Sequence, residues 1–133
     1  MNQQQGKNRQ LLLTLNFQDG TLMLNEGILD ALGRPGQVQI LLNKEAKRLL
    51  IRRCEVNSRQ AVFMPAEHVV MVEIGGRSLL KKIRKLIGWN TEQPRICVGE
   101  SIPDYQAVCF DLSTAFAVNP GSADKSASVN LTM

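Results

Sequence analysis

The alternation of apolar and polar residues near the start of this chain predicts two β-strands followed by a short helix. Apolar side chains occupy every second position from residue 11 to residue 17, the spacing of a strand with one buried face. Asp19-Gly20 is a tight-turn sequence, and residues 21 to 24 then predict a second strand. Asn25 is a residue type that caps helices, so we expect a short helix that ends at Gly33.

A hairpin is predicted next along the chain. Val38, Ile40 and Leu42 mark a strand, residues 44 to 47 form a polar turn, and residues 49 to 54 return as an antiparallel strand. The apolar residues 61 to 64 then stop at Pro65.

The second half of the chain repeats these signals. Residues 69 to 74 read as a strand, and a second hairpin is predicted from residues 95 to 98 and 107 to 112. Gly, Pro and Asp in residues 99 to 104 predict the turn that joins its two strands. Residues 115 to 118 are expected to add an edge strand.

Residues 77 to 87 carry the strongest helical pattern in the chain. Their apolar residues recur at spacings of three and four and form one helical face: Leu79, Leu80, Ile83, Leu86 and Ile87. The remainder holds five cations and no acid: Arg77, Lys81, Lys82, Arg84 and Lys85. Ser78 is predicted to cap this helix and Gly88 to end it. Such a helix suits a polyanion, and a solvated surface helix has the same pattern.

These elements predict an α+β fold, a mostly antiparallel sheet or open barrel with two short helices. The order strand, helix, hairpin occurs twice, so an internal duplication of topology is a further hypothesis. We expect one domain over residues 11 to 118, with units at about 11 to 56 and 69 to 112. The polar residues 1 to 10 and the Ser- and Ala-rich residues 119 to 133 are predicted to be disordered.

Charge is distributed unevenly along the chain, although the net charge is only +4. Residues 44 to 85 hold 11 of the 16 Lys and Arg and 4 of the 12 acids, a local charge of +7, and the rest of the chain is −3. Such a concentration attracts anions over about 8 Å at physiological salt. The alternative explanation is that these charged residues only keep the protein soluble.

The cysteines and the lengths of the apolar runs indicate the cellular compartment of the protein. Cys54, Cys97 and Cys109 form neither a metal-binding spacing nor an even set for disulfides, and each lies in an apolar run. We therefore expect buried, reduced thiols and a cytoplasmic protein. No apolar run approaches the length of a membrane span, and the N-terminus lacks the apolar stretch of a signal peptide.

Enzymatic chemistry finds little support in the sequence. His68 is the only histidine and falls in a predicted connection. Gly75-Gly76 lacks the frame of a phosphate-binding loop and is explained by a strand-to-helix break. No ligand cluster for a metal is visible, so we expect a non-enzymatic protein without cofactor. Trp89 is predicted to fill the core, and Tyr105 to be exposed in a turn.

Nucleic acid is the predicted partner, contacted through phosphates by the five cations of the 77-to-87 helix. Lys47, Arg48 and Arg52 of the first hairpin are expected to support them. Arg52 and Arg53 must point to opposite faces of their strand, so the hairpin cations cannot all join one patch. The alternative is a protein-interaction or adaptor module, possibly homodimeric, whose basic face meets an acidic partner.

One segment resembles a known family. Residues 20 to 33, Gly-Thr-Leu-Met-Leu-Asn-Glu-Gly-Ile-Leu-Asp-Ala-Leu-Gly, are similar to the strand-and-helix segment of AbrB-type (SpoVT, MraZ) transcription regulators. The resemblance covers roughly residues 11 to 54. It implies a barrel of two intertwined units that presents basic residues to DNA, and a regulator-like role in a prokaryotic or mobile-element setting.

The segment also departs from the family pattern. Asn25 stands where the family prefers proline, and Thr21 and Leu29 stand where the family commonly has DNA-contacting arginines. The DNA contacts of the family therefore do not carry over to this copy. Any contacts with nucleic acid must come from the first hairpin and from the basic helix.

Overall fold

The structure is a computed structural model that describes residues 10–54, 61–65 and 69–118. It is an α+β fold in which a mostly antiparallel sheet forms a nearly closed barrel with two helices, as the sequence predicts. The strands are β1 Leu12–Asn16, β2 Thr21–Asn25, β3 Gln37–Asn43, β4 Arg48–Arg53, β5 Val62–Phe63, β6 Met71–Gly75, β7 Arg95–Ile102, β8 Ala107–Asp111 and β9 Phe116–Ala117. The helices are α1 Glu26–Ala31 and α2 Arg77–Ile87.

The strands follow the order β5-β3-β4-β8-β7-β1-β2-β6, and β9 pairs with β7. Each of these pairs is antiparallel. Within the described ranges, β5 and β6 each pair with one strand only, so the barrel is open between them.

The predicted order of strand, helix and hairpin occurs twice, as β2-α1-β3-β4 and β6-α2-β7-β8. The two copies pair with each other, because β2 pairs with β6 and β4 pairs with β8. Asn25 lies opposite Met71 and Thr21 lies opposite Gly75. Each helix follows its strand directly, so α1 and α2 begin at opposite ends of the β2–β6 pair.

The core is formed by the inward face of the sheet and by one face of each helix. Alternate residues of β1 and β2 are fully buried, and α2 contributes Leu80 and Ile83 at 2% and 0% exposure. Burial of one such side chain contributes roughly 1.5–3 kcal/mol. The largest fully buried side chains are Phe110, Leu13, Leu15, Leu22, Leu24, Ile28, Leu32, Leu49, Ile51, Ile83, Leu112 and Val38.

The predicted cap of α1 is confirmed. The Asn25 Oδ1 accepts a hydrogen bond from the Ile28 N–H at 3.1 Å, and it also accepts one from the Leu12 N–H at 3.1 Å. The Asn25 Nδ2 donates to the backbone oxygen of Gln10 at 2.9 Å. One amide side chain thus joins the start of β1 to the β2–α1 junction.

Two local predictions are wrong. The turn predicted over residues 99 to 104 starts later, because β7 continues to Ile102 and the chain reverses in the short 3₁₀ helix Pro103–Tyr105. Gly99 is a strand residue in close contact with Phe110, so the space it leaves is occupied by an aromatic ring. Ser78 does not cap α2, since the helix already begins at Arg77 and Gly76 precedes it without a capping side chain.

The remaining element boundaries differ from the predictions by one or two residues. The strand expected over 69 to 74 is Met71–Gly75, and that expected over 49 to 54 is Arg48–Arg53. The disorder predicted for residues 1 to 9 and 119 to 133, and the position of His68, lie outside the described residues. Neither helix among the described residues is long and apolar enough to cross a membrane.

Candidate nucleic-acid interface

The five predicted phosphate contacts lie together on α2. At 3.6 residues per turn, the cations occupy an arc of about 160° and the apolar residues the opposite arc of about 120°. The apolar arc faces the core: Leu80 and Ile83 are buried, and Leu79 and Ile87 pack against the core while partly buried. The cations are thereby turned away from the barrel, as the amphipathic pattern predicts.

Three of these cations are unpaired within the described part of the chain. Lys81, Lys82 and Lys85 are exposed, and none of them forms an ion pair or hydrogen bond there. They lie over about one turn of helix, a rise of roughly 6 Å from Lys81 to Lys85. Their ammonium groups are therefore free to meet an anion.

The two arginines of α2 have partners within the protein. Arg77 donates to the backbone oxygen of Asp19 at 3.1 Å. Arg84 lies 3.6 Å from the Glu92 carboxylate and donates to the backbone oxygen of Asn90 at 3.3 Å. Arg84 is thus partly neutralised, whereas the hydrogen-bond partner of the Arg77 guanidinium is an uncharged carbonyl.

The C-terminal end of α2 shapes the surface beside the lysines. Gly88 has φ 84°, and the N–H groups of Gly88 and Trp89 both donate to the Arg84 oxygen, at 2.9 and 3.1 Å. The chain turns sharply there and leaves a shallow depression of about 360 Å³. Its lining residues are Lys81, Arg84, Lys85, Gly88, Trp89 and Asn90.

Trp89 is held by two neighbours. The ring of Phe17 meets the indole at a centroid distance of 5.6 Å and an angle of 74°, and the Arg95 guanidinium carbon lies 4.2 Å from the indole centroid. Trp89 was predicted to fill the core, and it is partly buried and packs against the core. Sequence reasoning missed Arg95, since only the fold brings it to Trp89. Tyr105 is 74% exposed, as predicted.

The hairpin cations have local contacts of their own. Lys47 has φ 57°, and its backbone oxygen accepts the Leu112 N–H at 2.9 Å. Arg48 lies opposite Asp111 in the β4–β8 register. The Ser113 hydroxyl and backbone N–H hydrogen bond to Asp111 and lower the pKa of its carboxyl, and Arg48 adds a smaller effect. The positive charge of Arg48 is therefore partly compensated.

Arg52 lies farther away along the same strand. It is four residues from Arg48, about 13 Å at strand rise. Its guanidinium donates twice to the Gln39 Oε1, at 3.1 and 2.8 Å. The adjacent Arg53 packs against Gly33, just past α1. Arg52 thus belongs to the α1 end of the barrel, whereas the α2 cations belong to the other end.

The thiols and acidic side chains offer no alternative site among the described residues. The three cysteines are free thiols, and Cys97 is buried. Burial raises the pKa of the Cys97 thiol, which donates to the Asp111 oxygen at 3.1 Å, so it remains protonated. In the described ranges, no three His, Cys, Asp or Glu side chains are grouped as a metal site would require.

Comparison with protein-family models, curated proteins and solved structures finds no match to this chain. The resemblance of residues 11 to 54 to the AbrB-type regulators therefore stays a prediction. The class that the fold defines is an α+β barrel-like protein, and its most distinctive described surface is the cationic arc of α2.

Proposed function

We propose that this protein binds nucleic acid through the cationic arc of α2, without catalysing a reaction. The observation that carries the proposal is the set of three exposed, unpaired lysines, Lys81, Lys82 and Lys85, on a helix whose other face is anchored in the core. Arg77 extends the arc by one turn. A regulator-like role is the biological function that this binding serves.

The contacts are made to phosphates. Duplex DNA carries one charge per about 3.4 Å of helix axis on each strand, so the roughly 12 Å from Arg77 to Lys85 spans about three to four phosphates of one strand. Lys and Arg that neutralise phosphates release counterions, which makes affinity fall with salt. Arginine can read guanine, but the α2 arc contains no Asn or Gln to read adenine, so sequence preference is expected to be limited.

The test is a titration of labelled duplex DNA by fluorescence anisotropy between about 50 and 200 mM salt. Four phosphate contacts, from Arg77 and the three lysines, predict a slope of about −3.6 in log K against log salt, a loss of affinity of about 10²-fold over this range. Replacement of both Lys81 and Lys85 by Gln removes two contacts and is expected to reduce the slope to about −1.8.

The matched control replaces Lys44 and Arg53 by Gln, which changes the formal charge equally away from α2. Both residues are exposed, so the fold is expected to tolerate the change. This control should leave the slope near that of the unmodified protein. An equal loss in both variants would show that the α2 lysines have no special role and that either net charge or the first hairpin governs binding.

A gain of affinity tests the same surface in the opposite direction. Glu92→Gln removes the carboxylate that lies 3.6 Å from Arg84 and releases a fifth cation. The slope is then expected to steepen to about −4.5. Absence of binding to duplex and single-stranded DNA or RNA at low salt would refute the proposal and favour an acidic protein partner.

A further inference from the structure

The outer faces of β9, β7, β1, β2 and β6 form a continuous sheet surface. Side chains alternate along a strand, so the residues between the buried ones point outward. The registers align these outward residues in rows across the strands, and two of the rows carry the large apolar side chains. The first row is Phe116, Ile96, Thr14, Met23 and Glu73, and the second is Val98, Leu12, Asn25 and Met71.

This surface is unusually apolar for a sheet that faces outward. An antiparallel sheet with one solvated face ordinarily carries polar side chains there. Here Phe116, Met71 and Val98 are 51%, 50% and 44% exposed. Phe116 lies directly opposite Ile96, and Val98 lies directly opposite Leu12. Met23 is the diagonal neighbour of both Leu12 and Met71, so the apolar residues are contiguous. We call them the outer apolar face: Leu12, Met23, Met71, Ile96, Val98 and Phe116.

The charge of the two rows restricts the partner. Glu73 is their single ionisable side chain, and it lies at the β6 edge. Asn25 is engaged by its hydrogen bonds to Leu12, Ile28 and Gln10. A nucleic acid finds no cation on this face, and a strongly charged protein finds no complementary charge. The surface fits another uncharged, apolar sheet face.

We propose that the outer apolar face binds the same face of a second copy of this chain, sheet against sheet. Two-fold symmetry brings one patch onto itself, so each copy supplies the uncharged partner surface that the other requires. Glu73 lies at the edge of the rows, which leaves the centre of the contact free of like charges. The sheets would pack about 10 Å apart.

The outer apolar face is smaller than a typical stable protein–protein interface. Five strands at about 4.8 Å spacing extend about 19 Å, and the two rows add a width of about 15 Å with their side chains, a few hundred Å² on each copy. A standard stable interface buries about 800 Å² on each partner. The face is smaller than that, so the dimer is expected to be weak and to form only at high protein concentration.

The experiment is sedimentation velocity of the full chain from about 1 to 200 µM. The expected result is a monomer at low concentration and a dimer at high concentration. Met71→Lys combined with Val98→Lys places two charges in the contact and is expected to weaken dimerisation at least tenfold. Both side chains are about half exposed, and circular dichroism verifies that the variant is folded; if it is not, Met71→Gln with Val98→Thr replaces it.

The matched control is Phe63→Lys combined with Tyr105→Lys. These side chains are 76% and 74% exposed and lie outside the outer apolar face, so the control adds the same charge without affecting the dimer. An equal weakening by both variants overturns the proposal, as does a monomer at every concentration. If Val129→Lys with Leu131→Lys then makes the monomer bind a hydrophobic dye, the face is covered by the chain's own C-terminal residues.

Dimerisation is independent of the proposed nucleic-acid site, because no α2 cation belongs to the outer apolar face. A monomer that still binds DNA with a steep salt dependence would end this inference and leave the proposed function intact. A dimer that binds no nucleic acid would refute the proposed function and leave the inference of dimerisation intact.

Discussion

Asn25 illustrates how much one polar side chain contributes to this small barrel. Its Oδ1 accepts from Ile28 and from Leu12, and its Nδ2 donates to Gln10. A proline at this position, which the AbrB-type pattern prefers, would fix the backbone but supply none of these bonds. The asparagine therefore replaces backbone rigidity with hydrogen bonds that join β1 to α1.

Asn25→Ala is expected to lower the free energy of unfolding by about 2 kcal/mol. Loss of the helix cap accounts for about 1 kcal/mol, and loss of the hydrogen bonds to β1 accounts for the remainder. Asn25→Asp keeps an acceptor for the N–H groups of Ile28 and Leu12 and loses only the donor to Gln10. It should therefore be less destabilised. Urea denaturation followed by circular dichroism measures both, and equal stability of all three proteins would contradict this account.

At the scale of the elements, the pairing of β7 with β8 depends on a glycine. Gly99 lies opposite Phe110. A Cβ at residue 99 would lie 2.5 Å from the Phe110 Cε2 and 2.7 Å from the Val108 Cγ1. Phe110 is fully buried, so its ring has little room to move. The glycine thus permits the aromatic ring to pack directly on the backbone of the neighbouring strand.

Gly99→Ala is expected to lower the free energy of unfolding by about 1–3 kcal/mol, because the added methyl group overpacks this contact. Gly36→Ala is the matched control, since a Cβ there meets no atom within 4 Å. The control should change stability by less than about 0.5 kcal/mol. Thermal unfolding of the two variants provides the comparison, and a Gly99→Ala protein as stable as the control would refute the packing argument.

At the scale of the whole molecule, the two units share a topology and differ in charge. α1 carries Glu26 and Asp30, both close to Arg34, whereas α2 carries five cations and no acid. The helices begin at opposite ends of the β2–β6 pair, so their charges are separated. At about 0.1 M salt the Debye length is about 10 Å, and an anion held at α2 is largely screened from the α1 end.

The separation of charge between the α1 and α2 ends of the barrel predicts different effects of two charge-reversal substitutions. Lys82→Glu is expected to reduce the magnitude of the salt slope by about 1 or more, because it removes a phosphate contact and adds repulsion. Arg52→Glu makes the same change of formal charge at the α1 end, and the slope should stay the same. The anisotropy titration described above measures both. An equal effect of Arg52→Glu would place the first hairpin in the binding surface, as the sequence analysis predicts.

Local patterns predicted much of the fold. The period of the apolar residues identified α2, Gly88 marked its end, and Asn25 marked the start of α1, because each signal acts within a few residues. The turn over residues 99 to 104 was placed too early because glycine serves both turns and close packing. Only the position of Phe110 across the sheet distinguishes the two uses.

The candidate site, like the fold, was predicted from the sequence only in part. The sequence identified all five α2 cations, but it gave no sign that Glu92 would reach Arg84 or that Asp111 would face Arg48. These pairings join residues that only the loop after α2 and the β4–β8 register bring together. The outer apolar face was also missed, because its residues come from five strands and no single strand is unusual in composition.

The sequence by itself determined the elements, the amphipathic basic helix and the excess of positive charge in residues 44 to 85. The tertiary structure alone decided which cations remain free, which glycine accommodates a ring and which apolar side chains form one surface. The reason is physical: helix periodicity and caps arise from neighbours in the chain, whereas ion pairs, packing and surfaces arise between residues that only the folded sheet makes neighbours.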